Sequence, residues 1–172
     1  MNRARSAVTK RGAANAELGE PWLRQMVTNE YGQPVAGRTH EDIDPKVLKA
    51  LPNPGGAMEL KHKAPEVTFL GVRDQPDFGT LYITFYPRET VIELKSLKEY
   101  LYQWRNTAVS YERFLDAVFE HLIQVYRPVR LRLVLETRPR GGISSKLTVD
   151  SDWAIRGGKE QFRDWVGLED TW

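Results

Sequence analysis

The sequence predicts an α+β domain in which two helices cover one face of an antiparallel sheet. Three observations support this class. Apolar residues alternate with polar ones in a segment before the middle of the chain, and again in one after it, which indicates strands. Between these segments, apolar residues recur every three or four positions, which indicates helices. The predicted order is therefore strand, strand, helix, helix, strand, strand.

The first two strands are predicted on either side of a turn at Pro87. Leu81, Ile83 and Phe85 alternate with more polar neighbours, so one face of this strand should be buried. Proline favours a change of chain direction at this point. Residues 90–94 are then predicted to form the partner strand.

The two helices are separated by a break in the pattern at residues 106–109. Ser96 and Glu99 have the spacing of a capping box at the start of the first helix. Ser110 can cap the second helix, and Pro128 ends it.

Two more strands are predicted after the second helix. Leu131, Leu133 and Leu135 alternate with mostly charged residues, which is typical of a half-buried strand. Residues 138–142 are predicted to be a loop, and residues 143–149 are predicted to form the fourth strand.

Composition divides the chain into four parts. Residues 1–20 contain almost no large apolar side chains and are expected to be a mobile N-terminal tail. Residues 21–65 are rich in proline and are expected to form an irregular arm. The regular domain is expected at residues 66–150, and a C-terminal extension at 151–172.

Composition also excludes several kinds of protein. The 172 residues carry a formal net charge of +2, which is too small to predict direct nucleic-acid binding. No apolar run is long enough to span a membrane, and the basic N-terminus lacks the apolar stretch of a secretory signal. The sequence contains no cysteine, so thiolate chemistry is excluded for this chain acting alone. A cytoplasmic protein is expected.

Four short motifs occur in a specific order. They are Gln-Pro-Asp-Phe at 75–78, Glu-Leu-Lys-Ser-Leu-Lys-Glu-Tyr at 93–100, Trp-Arg-Asn at 104–106 and Pro-Arg-Gly-Gly-Ile-Ser at 139–144. Together they resemble the motifs of the NADPH-dependent 7-cyano-7-deazaguanine reductase family, over residues 66–144. The resemblance implies a tunnelling fold, in which small sheets assemble into an oligomeric barrel.

Members of that family use a cysteine that adds to the substrate nitrile, an aspartate that moves protons, and NADPH that delivers hydride. Here the cysteine position falls at Leu70 or Gly71, in a loop that is one residue shorter, and neither residue is a nucleophile. Tyr111 stands where the family carries a histidine. The chain thus resembles a cysteine-free, divergent member, similar to those associated with deazaguanine modification of phage DNA.

Five residues are candidates for the substrate site. Asp77 is expected to be the catalytic acid, because a carboxyl group near the base can donate a proton. Glu112 is expected to accept hydrogen bonds from the guanine-like edge, with Glu93 and Leu94 as further contacts. Arg73 is expected to orient a carboxylate on the substrate.

Three of these residues also have a simpler structural explanation. Asp77 can be a turn residue that follows a proline. Glu112 lies in the first turn of a predicted helix, where the helix dipole favours acids. Glu93 can be a surface charge at the end of a strand.

A cationic group is the candidate cofactor site. If NADPH is used, Lys95, Lys98 and Arg140 are expected to surround a phosphate beside the backbone of the two following glycines. The lysines can equally form a solvated helix face, and Arg-Gly-Gly is a common loop sequence. No metal site is expected, because the three histidines lack ligand spacing.

The sequence therefore predicts a 7-deazaguanine-binding enzyme whose reaction needs no thiol. The expected reaction is cofactor-independent decarboxylation of 7-carboxy-7-deazaguanine to 7-deazaguanine, with Asp77 as proton donor, for deazaguanine modification of nucleic acid. The alternatives are NADPH-dependent reduction of the nitrile and an inactive deazapurine-binding relative. The expected partners are the small base and further copies of the chain, with sites at subunit interfaces in the cytoplasm, or the host cytoplasm if the chain is phage-encoded.

Overall fold

The computed structural model describes residues 27–28, 34–35, 37–71 and 74–152. None of the helices in these ranges is long and apolar enough to cross a bilayer. The strands and helices in chain order are β1 (Val27–Thr28), β2 (Pro34–Val35), β3 (Ala50–Pro52), β4 (Leu60–Leu70), β5 (Pro76–Tyr86), β6 (Thr90–Ile92), α1 (Leu94–Gln103), α2 (Tyr111–Tyr126), β7 (Arg130–Thr137) and β8 (Lys146–Asp150).

The main layer is a four-stranded antiparallel sheet in the order β4-β5-β7-β8. In β5, Ile83 is paired with His62 on one side and with Leu133 on the other. Directly paired residues point to the same face, so this register gathers alternate residues of three strands on one face. A β-bulge between Ala64 and Val67 shifts the register of β4 and keeps Val67 on that face.

Both helices pack on the apolar face of the sheet. The Phe69 ring of β4 stacks on the Phe114 ring of α2, with 4.6 Å between the ring centroids. The buried cluster that joins the helices to the sheet includes Phe69, Leu81, Ile83, Phe85, Leu97, Tyr100, Trp104, Phe114, Val118, Leu122, Leu131, Leu133 and Leu135. The predicted α+β class, with an antiparallel sheet and two helices on one face, is confirmed.

The prediction that residues 90–94 pair with the strand before them is wrong. The short strand β6 pairs with β3, and Leu94 already belongs to α1. The partner of β5 is β4, which begins at Leu60 inside the segment predicted to be an irregular arm. The pattern of β4 was not visible in the sequence because Pro65 and the bulge interrupt its alternation.

The predicted cap of the first helix is also wrong. Glu93 is the N-cap of α1, and its carboxylate accepts hydrogen bonds from the amides of Lys95 (2.7 Å) and Ser96 (2.8 Å). The Ser96 hydroxyl instead accepts a hydrogen bond from the Lys49 amide at 2.9 Å. In contrast, Ser110 caps α2 as predicted, since its hydroxyl accepts from the Arg113 amide.

The C-terminal half follows the prediction with one shift. α2 ends at Tyr126, before Pro128, and β7 covers the predicted third strand. The fourth strand, β8, begins at Lys146 rather than at Ile143, because Ile143 closes a turn with Arg140. The predicted tail at residues 1–20 and nearly all of the predicted extension at 151–172 lie outside the described residues.

On the other face of the sheet, Asp150 is buried in an ion pair with two arginines. Its side chain has no exposed surface (0%), and its Oδ2 lies 2.7 Å from Arg130 Nη2 and 3.6 Å from Arg132 Nη1. Burial acts to raise the pKa of Asp150, but hydrogen bonds from Arg130 and the Asp152 amide, with the arginine charges, hold it below its ordinary value. Ionised Asp150 therefore stabilises the fold above its unfolded pKa, and this contribution is lost as the pH falls.

We expect Asp150→Asn to lower the free energy of unfolding by about 1–3 kcal/mol near neutral pH, because a buried charged hydrogen-bond acceptor is removed. As a control, Asp116→Asn removes an exposed partner of Arg113. This substitution should change the free energy of unfolding by less than about 1 kcal/mol. Urea unfolding at about pH 7 and about pH 3 measures both effects. If wild type and Asp150→Asn differ by the same free energy of unfolding at both pH values, the ion-pair explanation is contradicted.

Candidate functional site

The candidate site lies where β4 ends, β5 begins and α2 begins. Asp77, in β5, is paired with Phe69, so its side chain points to the helix-covered face of the sheet. Only 6% of Asp77 is exposed. A carboxyl group at a turn would be solvated, whereas a buried one requires hydrogen-bond partners. The position of Asp77 thus favours its functional interpretation over that of a turn residue.

Arg140 is the partner of Asp77. Its Nη1 donates to both carboxylate oxygens of Asp77, at 2.8 and 3.1 Å, and its Nη2 donates to Gln75 Oε1 at 3.3 Å. Arg140 is brought there by a two-residue turn in which Gly141 and Gly142 have φ angles of 59° and 81°. Both central positions of such a turn need a positive φ, so the glycines have a structural role.

Gly71 lies directly against the Asp77–Arg140 ion pair. A Cβ atom at position 71 would overlap Asp77 Oδ2 and would lie 2.5 Å from Arg140 Nη1. The glycine amide also closes the loop by donating to the Gln75 carbonyl at 2.7 Å. A side chain at position 71 and the Asp77–Arg140 pair therefore compete for the same space.

Tyr111 completes the cluster from the first residue of α2. Its hydroxyl lies close enough to Asp77 and Arg140 for both side chains to act on its pKa. Burial raises the pKa of Tyr111, and the hydrogen bond and negative charge of Asp77 raise it further. The ring of Tyr111 packs edge-on against Phe69, at 5.7 Å between centroids. A neutral tyrosine thus stands beside the carboxylate.

Backbone pairing fixes α2 relative to β4. The Leu70 amide donates to the Thr107 carbonyl, and the Val109 amide donates to the Leu70 carbonyl, both at 2.9 Å. Ser110 then caps α2, so that Tyr111 starts the helix beside the end of β4. The break between the two helices therefore positions the site.

Glu112 lies next to this cluster but faces outward. It is exposed and lines an open cleft of about 710 Å³ between α2 and β8. Leu147 and Val149 form part of the apolar wall of this cleft, and Arg113 lies at its side. A carboxylate over an apolar wall can accept two parallel hydrogen bonds from a planar base.

Glu93 and Leu94 lie at the opposite end of α2 from Glu112. The Glu93 amide donates to the Lys49 carbonyl, which also accepts a hydrogen bond from the hydroxyl of Tyr126, the last residue of α2. This places Glu93 about 20 Å from Glu112 along the helix. Hydrogen bonds from the Lys95 and Ser96 amides lower the pKa of Glu93. Within one chain the structure does not bring the two glutamates together.

The residues of the candidate cofactor site are also separated. Lys95 is exposed and lies 3.9 Å from Glu99. Lys98 lines a second cleft, of about 480 Å³, between α1 and β4, where the cations Lys63 and Arg105 also lie. Arg140 is instead bound to Asp77. Within one chain it does not join the two lysines.

The substrate candidate Arg73 lies outside the described residues. Arg140 was predicted to bind the cofactor if NADPH is used, and its contact with Asp77 was not predicted. A signal was present, since an acid on the buried face of a strand needs a cation, and the shortened loop carries a glycine. The sequence did not show which cation could reach it.

We expect Gly71→Ala to lower the free energy of unfolding by about 1–3 kcal/mol, because the new methyl group displaces the Asp77–Arg140 pair. In an Asp77→Ala background the same change should cost less, since the overlapping carboxylate is gone. A double-mutant cycle by urea unfolding measures the coupling. Additive effects would show that Gly71 and Asp77 do not compete for space.

Comparison with known proteins identifies the family. A model of the QueF-like protein family matches residues 76–156. Proteins named NADPH-dependent 7-cyano-7-deazaguanine reductase are similar: one from Exiguobacterium sibiricum is 39% identical over 60% of this chain and 65% of its own length. The relative from Rhodopirellula baltica is 33% identical, and the match covers 57% of this chain and 82% of the relative. The relative from Nitratiruptor is 32% identical, and the match covers 65% of this chain and 88% of the relative. The chain spans just under two thirds of the Exiguobacterium relative, but more than four fifths of the other two. This cysteine-free chain therefore belongs to the QueF-like family of 7-cyano-7-deazaguanine reductases, with the tunnelling fold that its motifs predict.

Proposed function

We propose that this protein binds a 7-deazaguanine base and decarboxylates 7-carboxy-7-deazaguanine to 7-deazaguanine without a thiol or a cofactor. One observation carries the proposal: the space next to Gly71 holds the Asp77–Arg140 ion pair, and the sequence has no cysteine to place there. A site that has lost its nucleophile but keeps a buried carboxylate is suited to proton transfer. Its product is a free base of the kind needed for deazaguanine modification of nucleic acid.

The proposed reaction needs only one proton. C7 belongs to an electron-rich pyrrole ring, so a proton from Asp77 adds to C7. The bond from C7 to the carboxyl carbon then breaks, its electron pair returns to the ring, and carbon dioxide leaves. Solvent restores the proton on Asp77.

The proposed base site is shared between copies of the chain. Glu112, over its apolar cleft, is proposed to accept the N–H groups of the guanine-like edge. Glu93 and Leu94 are proposed to contact the same base from a neighbouring subunit, since one chain holds the two glutamates at opposite ends of α2. A homo-oligomer follows from this arrangement.

The second candidate function is NADPH-dependent reduction of 7-cyano-7-deazaguanine. It is favoured by the names of the relatives and by the cations Lys98, Lys63 and Arg105 around the cleft between α1 and β4. The family reaction, however, begins with a thiol adding to the nitrile. Hydride transfer in this chain requires a route without that covalent adduct.

We expect wild-type protein to release carbon dioxide from 7-carboxy-7-deazaguanine without added cofactor, and Asp77→Asn to lower the rate at least about 100-fold while the base still binds. Asp74→Asn is the matched control, because Asp74 is an exposed acid in the same loop, and it should keep the wild-type rate. Mass spectrometry of the product identifies the 7-substituent. Unchanged turnover in Asp77→Asn would refute the acid role, and NADPH consumption with the 7-cyano base would establish the reductase.

We expect Glu93→Gln and Glu112→Gln each to weaken base binding by about tenfold or more, because a charged acceptor is lost. Glutamine can still cap α1 through its carbonyl oxygen. Oligomers that contain both variants should regain about a quarter of the sites, because each site takes one glutamate from each of two copies. Equilibrium binding to co-expressed mixtures measures this recovery. Its absence in confirmed mixed oligomers would contradict a shared site.

A further inference from the structure

We infer that Arg140 is the residue that selects an anionic 7-substituent over a neutral one, by binding the substrate carboxylate while it remains next to Asp77. This inference rests on the proposed function and deepens it. Arg140 then binds the substrate rather than a phosphate of the cofactor. The chemical class that Arg140 recognises is a planar carboxylate on the five-membered ring of the base.

The accessibility of the two partners supports the inference. The Arg140 side chain is 41% exposed, whereas that of Asp77 is 6% exposed. An anion that enters from solvent therefore meets the guanidinium before it meets the carboxylate. Arg140 is also the one cationic side chain in the Asp77–Arg140–Tyr111 cluster.

Arg140 also has donors to spare. A guanidinium carries five N–H groups in a planar fork. Within the described part of the chain, Nη1 donates to both carboxylate oxygens of Asp77, and Nη2 donates one long hydrogen bond of 3.3 Å to Gln75. Displacing Gln75 frees one edge of the fork for a second carboxylate. Arg140 can thus bridge the buried acid and the substrate.

Tyr111 lowers the cost of sharing Arg140. Its hydroxyl lies close enough to both Asp77 and Arg140 to interact with each of them. When Arg140 shares its N–H groups with an incoming carboxylate, the Tyr111 hydroxyl is available to donate a hydrogen bond to Asp77. Gly71 gives the guanidinium room, because a side chain there would meet Nη1. The cluster therefore has space for an arginine that contacts both the Asp77 carboxylate and the substrate carboxylate.

The test compares the affinity for three bases: 7-carboxy-7-deazaguanine, 7-cyano-7-deazaguanine and unsubstituted 7-deazaguanine. Wild-type protein should bind the carboxy base most tightly. Arg140→Gln should lower the preference for the carboxy base over the unsubstituted base by about ten- to a hundredfold, the effect of losing a charge-assisted hydrogen bond. Its affinity for the unsubstituted base should stay close to that of the wild type. Calorimetric titration measures all three.

Two controls separate the contact from other effects. Arg138→Gln removes the same charge from an exposed position two residues away and should keep the preference. If Arg140→Gln unfolds because Asp77 loses its partner, Asp77→Asn/Arg140→Gln is compared with Asp77→Asn. In that pair no buried carboxylate is left unpaired, and only Asp77→Asn should prefer the carboxy base.

The outcomes also distinguish this inference from the proposed reaction. An unchanged preference in Arg140→Gln, or an equal loss in Arg138→Gln, overturns the role of Arg140 even if carbon dioxide is released. An Arg140-dependent preference without carbon dioxide release supports the role of Arg140 and refutes the decarboxylase. A wild-type protein that binds none of the three bases overturns both.

Discussion

The burial of alternate residues of β5 is the constraint on which the rest of the site depends. β5 lies inside the sheet with a neighbour on each side, and its apolar face is covered by both helices. A shift by one residue would send that face to solvent, so the register is strongly determined. The same alternation that buries Ile83 and Leu81 also turns Asp77 inward. A buried carboxylate then requires a cation, which Arg140 supplies.

The buried Asp77–Arg140 ion pair limits which residues can stand around it. With Arg140 folded over Asp77, position 71 has no room for a side chain, and glycine stands there. Gly71 is one of the two positions, with Leu70, at which the resemblance places the family cysteine. Tyr111, where the resemblance places a histidine, packs against Phe69 and interacts with Asp77 as a neutral group. Gly71, Tyr111 and the Asp77–Arg140 ion pair therefore form one cluster, on which the proposed thiol-free reaction relies.

The separation of the two glutamates connects the fold to assembly. Glu93 holds the first turn of α1 through two backbone amides, so its carboxylate is already oriented before any ligand binds. Glu112 stands one helix length away, over a cleft with an apolar wall. Under the proposed function a single subunit presents two half-sites, each placed by a helix N-terminus. Their union in one base site, as proposed, makes ligand binding inseparable from oligomerisation.

The sequence by itself determined the α+β class, both helices, the strands β5 and β7 and, through its motifs, the family. These features rest on local periodicity, on caps such as Ser110, and on residue types that lie close together in the chain. It did not reveal β4, whose alternation is broken by Pro65 and a bulge, or the cap at Glu93. Only the tertiary structure decided that Arg140 binds Asp77, because these residues lie 63 positions apart and meet through strand pairing and a glycine turn. Long-range pairing of this kind depends on which faces are buried together, and no short stretch of sequence records it.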